Sequence, residues 1–177
     1  MKYPIGIQSF EKIRLGGYVY VDKTELIYQL ANTGSYYFLG RPRRFGKSLL
    51  ISTLEAYFQG KKDLFGGLAM ERWEKDWESY LVLHIDFSLT KYMELTDLTG
   101  QLNLFLHRWE KIYGKDEAEK TASERLQGII LRASEQIGKQ VVVLIDEYDA
   151  PLLDSNSDTA LQQQLRNEMR KFFSPPQ

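Results

Sequence analysis

The chain has 177 residues, 43% hydrophobic and 27% charged, with 23 Lys and Arg against 24 Asp and Glu for a formal net charge of -1. Together with a mean hydropathy of -0.40, this is the balance of an ordinary globular domain, which at this size buries roughly 70% of its unfolded surface and needs no staples. Cysteine is absent, which excludes disulfides, thiolate zinc, iron–sulfur clusters and a cysteine nucleophile and fits a cytoplasmic protein. The near-neutral charge excludes a whole-domain field for nucleic acid or an anionic membrane. MKYPIGIQSFEKIRLGG lacks the apolar stretch of a signal peptide, and the longest aliphatic run, Val141 to Ile145, is far too short to span a bilayer. No membrane partner is expected.

Gly16-Gly17 opens YVYVD, whose alternation predicts a short strand or hairpin arm. Asp22 and Glu25 stand at capping-box spacing before a helix with Leu26, Ile27, Leu30 and Ala31 on one face, and Asn32-Thr33-Gly34 ends it. SYYFLG then reads as a strand, RPRRFGKS as a loop, and Leu50, Leu54, Tyr57 and Phe58 as a helix. Residues 59–79, with Gly60, Gly66 and Gly67, read as a loop with one or two short helical turns. YLVLHIDFS is a strand with apolar residues on both parities, expected to be buried on two faces. A helix follows with Leu95, Leu98, Leu102, Phe105, Leu106, Trp109 and Ile112 in one stripe. A second runs from a Thr121-x-x-Glu124 capping box to Gly138. VVVLIDEYDAP is a further buried strand, and Leu161, Leu165, Met169 and Phe172 mark a last helix. Strands separated by helices imply an α/β domain with a mostly parallel sheet, whose ligands bind at the carboxyl ends of the strands.

Two segments with chemistry fall at such ends. Gly46-Lys47-Ser48 supplies an ammonium for terminal phosphates, a hydroxyl for magnesium and a helix N-terminus for the anion. Against G-x-x-x-x-G-K-[ST], Arg41 occupies the first glycine position and Gly40 comes one residue early. Either Arg41 adopts the unusual turn, or Gly40 and Pro42 shape a different cradle. Arg41, Arg43 and Arg44 read as a solvated basic turn, as further charge for phosphates, or as a nucleic-acid patch. Roughly 100 residues after Lys47, five aliphatic residues lead into Asp146-Glu147. In a phosphate-loop enzyme such an aspartate serves the magnesium shell and the glutamate the attacking water; the alternative is a solvated strand end. Asp149 is a supporting carboxylate or a turn former, and Asp86 a ligand-edge acid or, more simply, a turn residue. His84 and His107 have no partner at helical spacing and are not expected to bind metal.

The segments GYVYVDKTELIYQL, YYFLGRPRRFGKSLLISTLEAYF, LFGGL, HIDFS and VVVLIDEYDAP together resemble the AAA-ATPase-like family, bacterial and archaeal P-loop proteins often joined to a C-terminal PD-(D/E)XK nuclease-like domain. The resemblance runs over nearly the whole chain, and RPRRFGKS is that family's own form of the phosphate loop. It implies a P-loop NTPase fold of the additional-strand ATPase type and a Walker A loop of Arg41, Pro42, Arg43, Arg44, Phe45, Gly46, Lys47, Ser48 and Leu49. It also implies Walker B residues Asp146 and Glu147, magnesium on Ser48 and Asp146, and catalysis by Lys47 and Glu147. ATP and Mg2+ are the implied cofactors. The reading is an ATPase or ATP-driven switch, with a binding module of little turnover and a nucleic-acid component using the arginines as alternatives. Residues 1–35 are expected to form an N-terminal segment packing near the nucleotide, and 36–177 an incomplete core ending before the family's sensor strand. Any nucleic-acid contact beyond the arginines would belong to a C-terminal region outside this chain. The strands ending at Leu39 and Ile145 are accordingly expected to pair directly. Oligomeric state is left open.

Overall fold

The computed structural model describes residues 1–40, 45–155 and 158–174. They form two compact units, Met1–Val82 and Leu83–Gln177. Among the described residues, no helix is long and apolar enough to cross a membrane.

The first unit holds α1 (Phe10–Leu15), α2 (Thr24–Thr33), α3 (Lys47–Phe58) and two 3-10 turns, Lys62–Phe65 and Ala69–Arg72. α1 starts where the Ser9 hydroxyl accepts the Lys12 N–H, and it buries Phe10 and Ile13, one helical turn apart. The Phe10 ring meets Tyr20 and Phe65 at centroid distances of 5.2 and 4.9 Å, the edge-on and tilted contacts that aromatic quadrupoles favour. Its backbone N–H donates to Ser52 Oγ at 2.8 Å, tying α1 to the middle of α3. Arg14 donates to the Leu64 and Gly66 carbonyls at 2.7 and 2.6 Å, so a 3-10 turn with few internal bonds is closed from outside.

Three local expectations differ here. Glu25 does not close a capping box: α2 begins after Lys23, with no side-chain cap. Asp22 instead accepts from the Thr24 N–H and hydroxyl at 2.9 and 2.7 Å and from the Ala69 N–H at 2.7 Å. Buried Thr24 in turn accepts the Met70 N–H at 3.0 Å, so the box serves a tertiary clamp that local spacing could not announce. YVYVD forms no strand; of its backbone groups, Val19 N–H donates to Lys2 O at 2.8 Å. SYYFLG forms no strand either, and residues 32–40 are all exposed, Tyr36 to 97%. A strand exists only where a neighbour takes up its N–H and C=O groups.

Among the described residues the sheet has two parallel strands, β1 (Leu81–Asp86) and β2 (Val141–Asp146), and no strand ends at Leu39, so the expected pairing with the strand ending at Ile145 is not found among them. β1 is not buried on both faces: Leu83 and Ile85 are at most 1% exposed while Val82, His84 and Asp86 are half-buried, as suits a strand with one neighbour. Flanking helices in the second unit are α4 (Leu95–Tyr113), α5 (Ala122–Ile137), α6 (Ala150–Asp154) and α7 (Thr159–Phe173). The predicted stripe of α4 is buried from Leu98 to Trp109, although Ile112 is 61% exposed. The Thr121–Glu124 capping box closes reciprocally, and Gly138 ends α5 with φ 64°. Arg125 grips the buried Glu110 of α4 through Nε at 2.6 Å and Nη2 at 2.9 Å and donates to Asn103 Oδ1 at 2.6 Å. The α4–α5 connection is held by Arg132, which pairs with Glu119 and donates to the Gly114 carbonyl. Observed architecture is thus mixed α/β with a small parallel sheet flanked by helices, the coarse form of the expected class.

Candidate functional site

Gly46 precedes α3 with φ 76° and ψ 23°. A Cβ there would meet open space, so it is the left-handed backbone, not crowding, that favours glycine. Leu50 N–H donates to Gly46 O at 2.9 Å, which makes Gly46 the true start of the helix. Lys47, Ser48 and Leu49 therefore occupy the first turn, whose N–H groups have no acceptor within the helix and carry the positive end of its dipole. No acidic side chain lies in that turn to neutralise it.

Lys47 and Ser48 are half-buried, and neither side chain makes a hydrogen bond or ion pair among the described residues. The helix is anchored farther along. Ser52 holds α1, and Thr53 Oγ1 donates to Leu49 O at 2.7 Å. Phe45 is 64% exposed. Arg41, Pro42, Arg43 and Arg44 lie outside the described residues.

In the second unit, Asp146 ends β2 and is 7% exposed. Its Oδ1 accepts the Glu147 N–H at 2.9 Å, a bond that fixes the carboxylate against the turn that follows. Glu147 takes φ 50°, one of two non-glycine residues with positive φ among those described, the other being Trp77. Such a backbone is costly for a side chain, by about 1–3 kcal/mol, and tends to persist at functional turns. The chain then folds into α6 through a bond from Ala150 N–H to Glu147 O at 2.9 Å. Asp149 Oδ1 is buried and has no hydrogen-bond partner among the described residues. Spacing had signalled the acids; nothing in the sequence signalled the reversal at Glu147 or the orphaned oxygen of Asp149.

Asp86 also ends its strand, but its Oδ1 accepts the Ser88 N–H at 2.8 Å and caps the 3-10 turn Phe87–Leu89, the turn role. His107 stands 4.0 Å from Glu110, and no group of three or more His, Cys, Asp or Glu able to hold a metal occurs among the described residues. That donor set does not suit a dedicated cage. A magnesium ion brought with phosphates needs only one or two protein oxygens and keeps its waters, and the Ser48 hydroxyl of the first unit and the Asp146 carboxylate of the second are each a hard oxygen donor of that kind.

The family model described as "Predicted AAA-ATPase" matches residues 4–175. The chain belongs to that family. It is also 41% identical, over 176 residues, to an uncharacterized protein in the vnfD 5' region of Azotobacter chroococcum mcd 1. The match covers 98% of this chain and 34% of that relative, so the chain spans about a third of the relative's length. No solved structure matches.

Proposed function

We propose that this chain is the nucleotide-binding part of an ATPase and binds Mg-ATP on the first turn of α3. The observation that carries the reading is Gly46. Its left-handed backbone opens a helix whose first turn bears Lys47 and Ser48, with no side-chain partner among the described residues, beside uncompensated N–H groups. In this reading the Lys47 ammonium reaches the terminal phosphates, while Arg41, Pro42, Arg43, Arg44, Phe45 and the Leu49 N–H complete the cradle. Ser48 and Asp146 are the residues that would hold magnesium, which would supply charge neutralisation on the phosphates. Glu147 orients the attacking water and accepts its proton, and Asp149, with its unpaired acceptor, supports that carboxylate edge. Hydrolysis is proposed for the complete protein, with residues 1–35 packing near the nucleotide.

Calorimetric titration of the chain with Mg-ATP tests the first step. Saturable micromolar binding, lost in Lys47→Ala, is the expected outcome, and no binding by the unaltered chain overturns the proposal. In the full-length protein, Glu147→Gln is expected to keep ATP affinity while turnover falls by about a hundredfold or more. Unchanged turnover would remove Glu147 from the mechanism.

A further inference from the structure

α4 uses one face for the core, where Leu98, Leu102 and Leu106 are at most 1% exposed. A second line of side chains, Gln101, Leu104, Arg108 and Lys111, follows the three- and four-residue spacing of neighbours on a helix surface. Beside it Leu89 rises from the 3-10 turn Phe87–Leu89, and the two border a shallow cavity of about 440 Å³. Leu104 and Leu89 are 64% and 63% exposed, and Phe105, only 3% exposed, lies beneath. Two large apolar side chains that flank a concavity instead of standing singly mark a binding surface.

The charge around this cavity has one sign. Arg108 and Lys111 are exposed and have no ion pair among the described residues. His107 shares the rim, and the carboxylate nearest to it, that of Glu110, is 4.0 Å away and already gripped by Arg125. Among the described residues no acidic side chain lines the cavity, although the chain as a whole is slightly acidic. Basic groups beside an apolar trough are complementary to carboxylates beside apolar side chains.

We propose that this groove docks a segment of a protein partner in which acidic residues adjoin leucine-like ones, the apolar groups on Leu89 and Leu104 and the carboxylates on Arg108 and Lys111. From Gln101 to Lys111 the groove runs about 15 Å, at 1.5 Å per helical residue, long enough for about five extended residues of the partner. Nucleic acid fits less well, because the one aromatic ring in the floor, that of Phe105, is too buried to stack on a base. A lipid surface takes up protruding apolar faces, not a trough. The inference stands whether or not the chain binds nucleotide.

The test is fluorescence-anisotropy titration of the whole chain with a short labelled peptide of alternating leucine and glutamate. Saturable binding is expected, weakened about tenfold by Arg108→Gln with Lys111→Gln and also weakened by Leu104→Glu, with Arg166→Gln, an exposed arginine outside the groove, leaving it unchanged. Raising salt should loosen the complex further. Circular dichroism and a urea midpoint matched to the parent verify folding of each variant, and the charge pair and Leu104 are tested separately, so one misfolded variant leaves the other to decide. No saturable binding, equal binding of a leucine–lysine peptide, or affinity unaltered by both groove variants overturns the proposal. So does binding of a labelled single-stranded oligonucleotide that the same variants abolish.

Discussion

The helix pair α4–α5 and the approach to α3 contrast in how their side chains are held. In the pair, apolar stripes are buried, the only charged side chain buried there is held by a forked guanidinium, and the α5 cap is reciprocal. In residues 32–40 every residue is exposed, and the first turn of α3 leaves the Lys47 and Ser48 side chains without partners among the described residues. The difference teaches where stability and ligand chemistry are divided: tightly packed segments sustain the fold, and segments poor in buried contacts are the ones free to answer a ligand.

The hardest test of that contrast is a cavity in the helix pair. Leu106 is fully buried, and Leu106→Ala is expected to cost about 3 kcal/mol, read from the urea midpoint. A cost near zero would mean that the pair is loosely packed and the contrast false.

Next is the buried ion pair. The Arg125 guanidinium holds the Glu110 carboxyl below the usual glutamate range, outweighing the upward push of burial. Because the folded value is lowered, this contribution is complete above the ordinary glutamate pKa of about 4.3 and is lost as pH falls through the lowered value. Glu110→Gln is expected to cost about 2 kcal/mol at neutral pH, the figure being tempered by the 18% exposure of the Arg125 side chain, and to flatten the acid limb of the stability–pH curve. Asp22 acts with the same sign: burial raises its carboxyl, but the hydrogen bonds from Thr24 and Ala69 hold it lower still. An acid limb as steep in Glu110→Gln as in the parent would shift the weight to groups such as Asp22.

The smallest effect belongs to the other region. Tyr36 is 97% exposed, and Tyr36→Ser is expected to change the stability read from the urea midpoint by less than about 0.5 kcal/mol, with the amides of residues 35–40 exchanging with solvent far faster than those of α4. A larger loss would show that this segment is held by partners its exposure does not reveal, and would erase the contrast from its other side.

What could be read beforehand follows the same division. α4, α5 and α7 were legible because their signals are local: a stripe at helical spacing, Thr121 with Glu124, Gly138 at the end. The short turns within residues 59–79 were legible from glycines and apolar clusters. α1 passed unread, since its six residues offer one turn of periodicity. At the candidate site, the residue types at 46–48 and 146–147 were evident from spacing, and the helix start at Gly46 agrees with them. The left-handed Glu147 and the unpaired Asp149 oxygen depend on the path of the chain after β2, for which the letters DEYD hold no code.

By itself, then, the sequence determined α4, α5 and α7, the family and the positions of the acidic and basic motifs, because periodicity, caps and short motifs are written within a few residues. Tertiary structure alone decided that Asp22 clamps Ala69 instead of capping with Glu25, that Glu110 finds Arg125, and that β1 pairs with β2 while SYYFLG pairs with no strand among the described residues. Each of those outcomes turns on which distant group reaches an N–H, a carbonyl or a carboxylate first, and a hydrogen bond or a sheet ladder takes its identity from its partner.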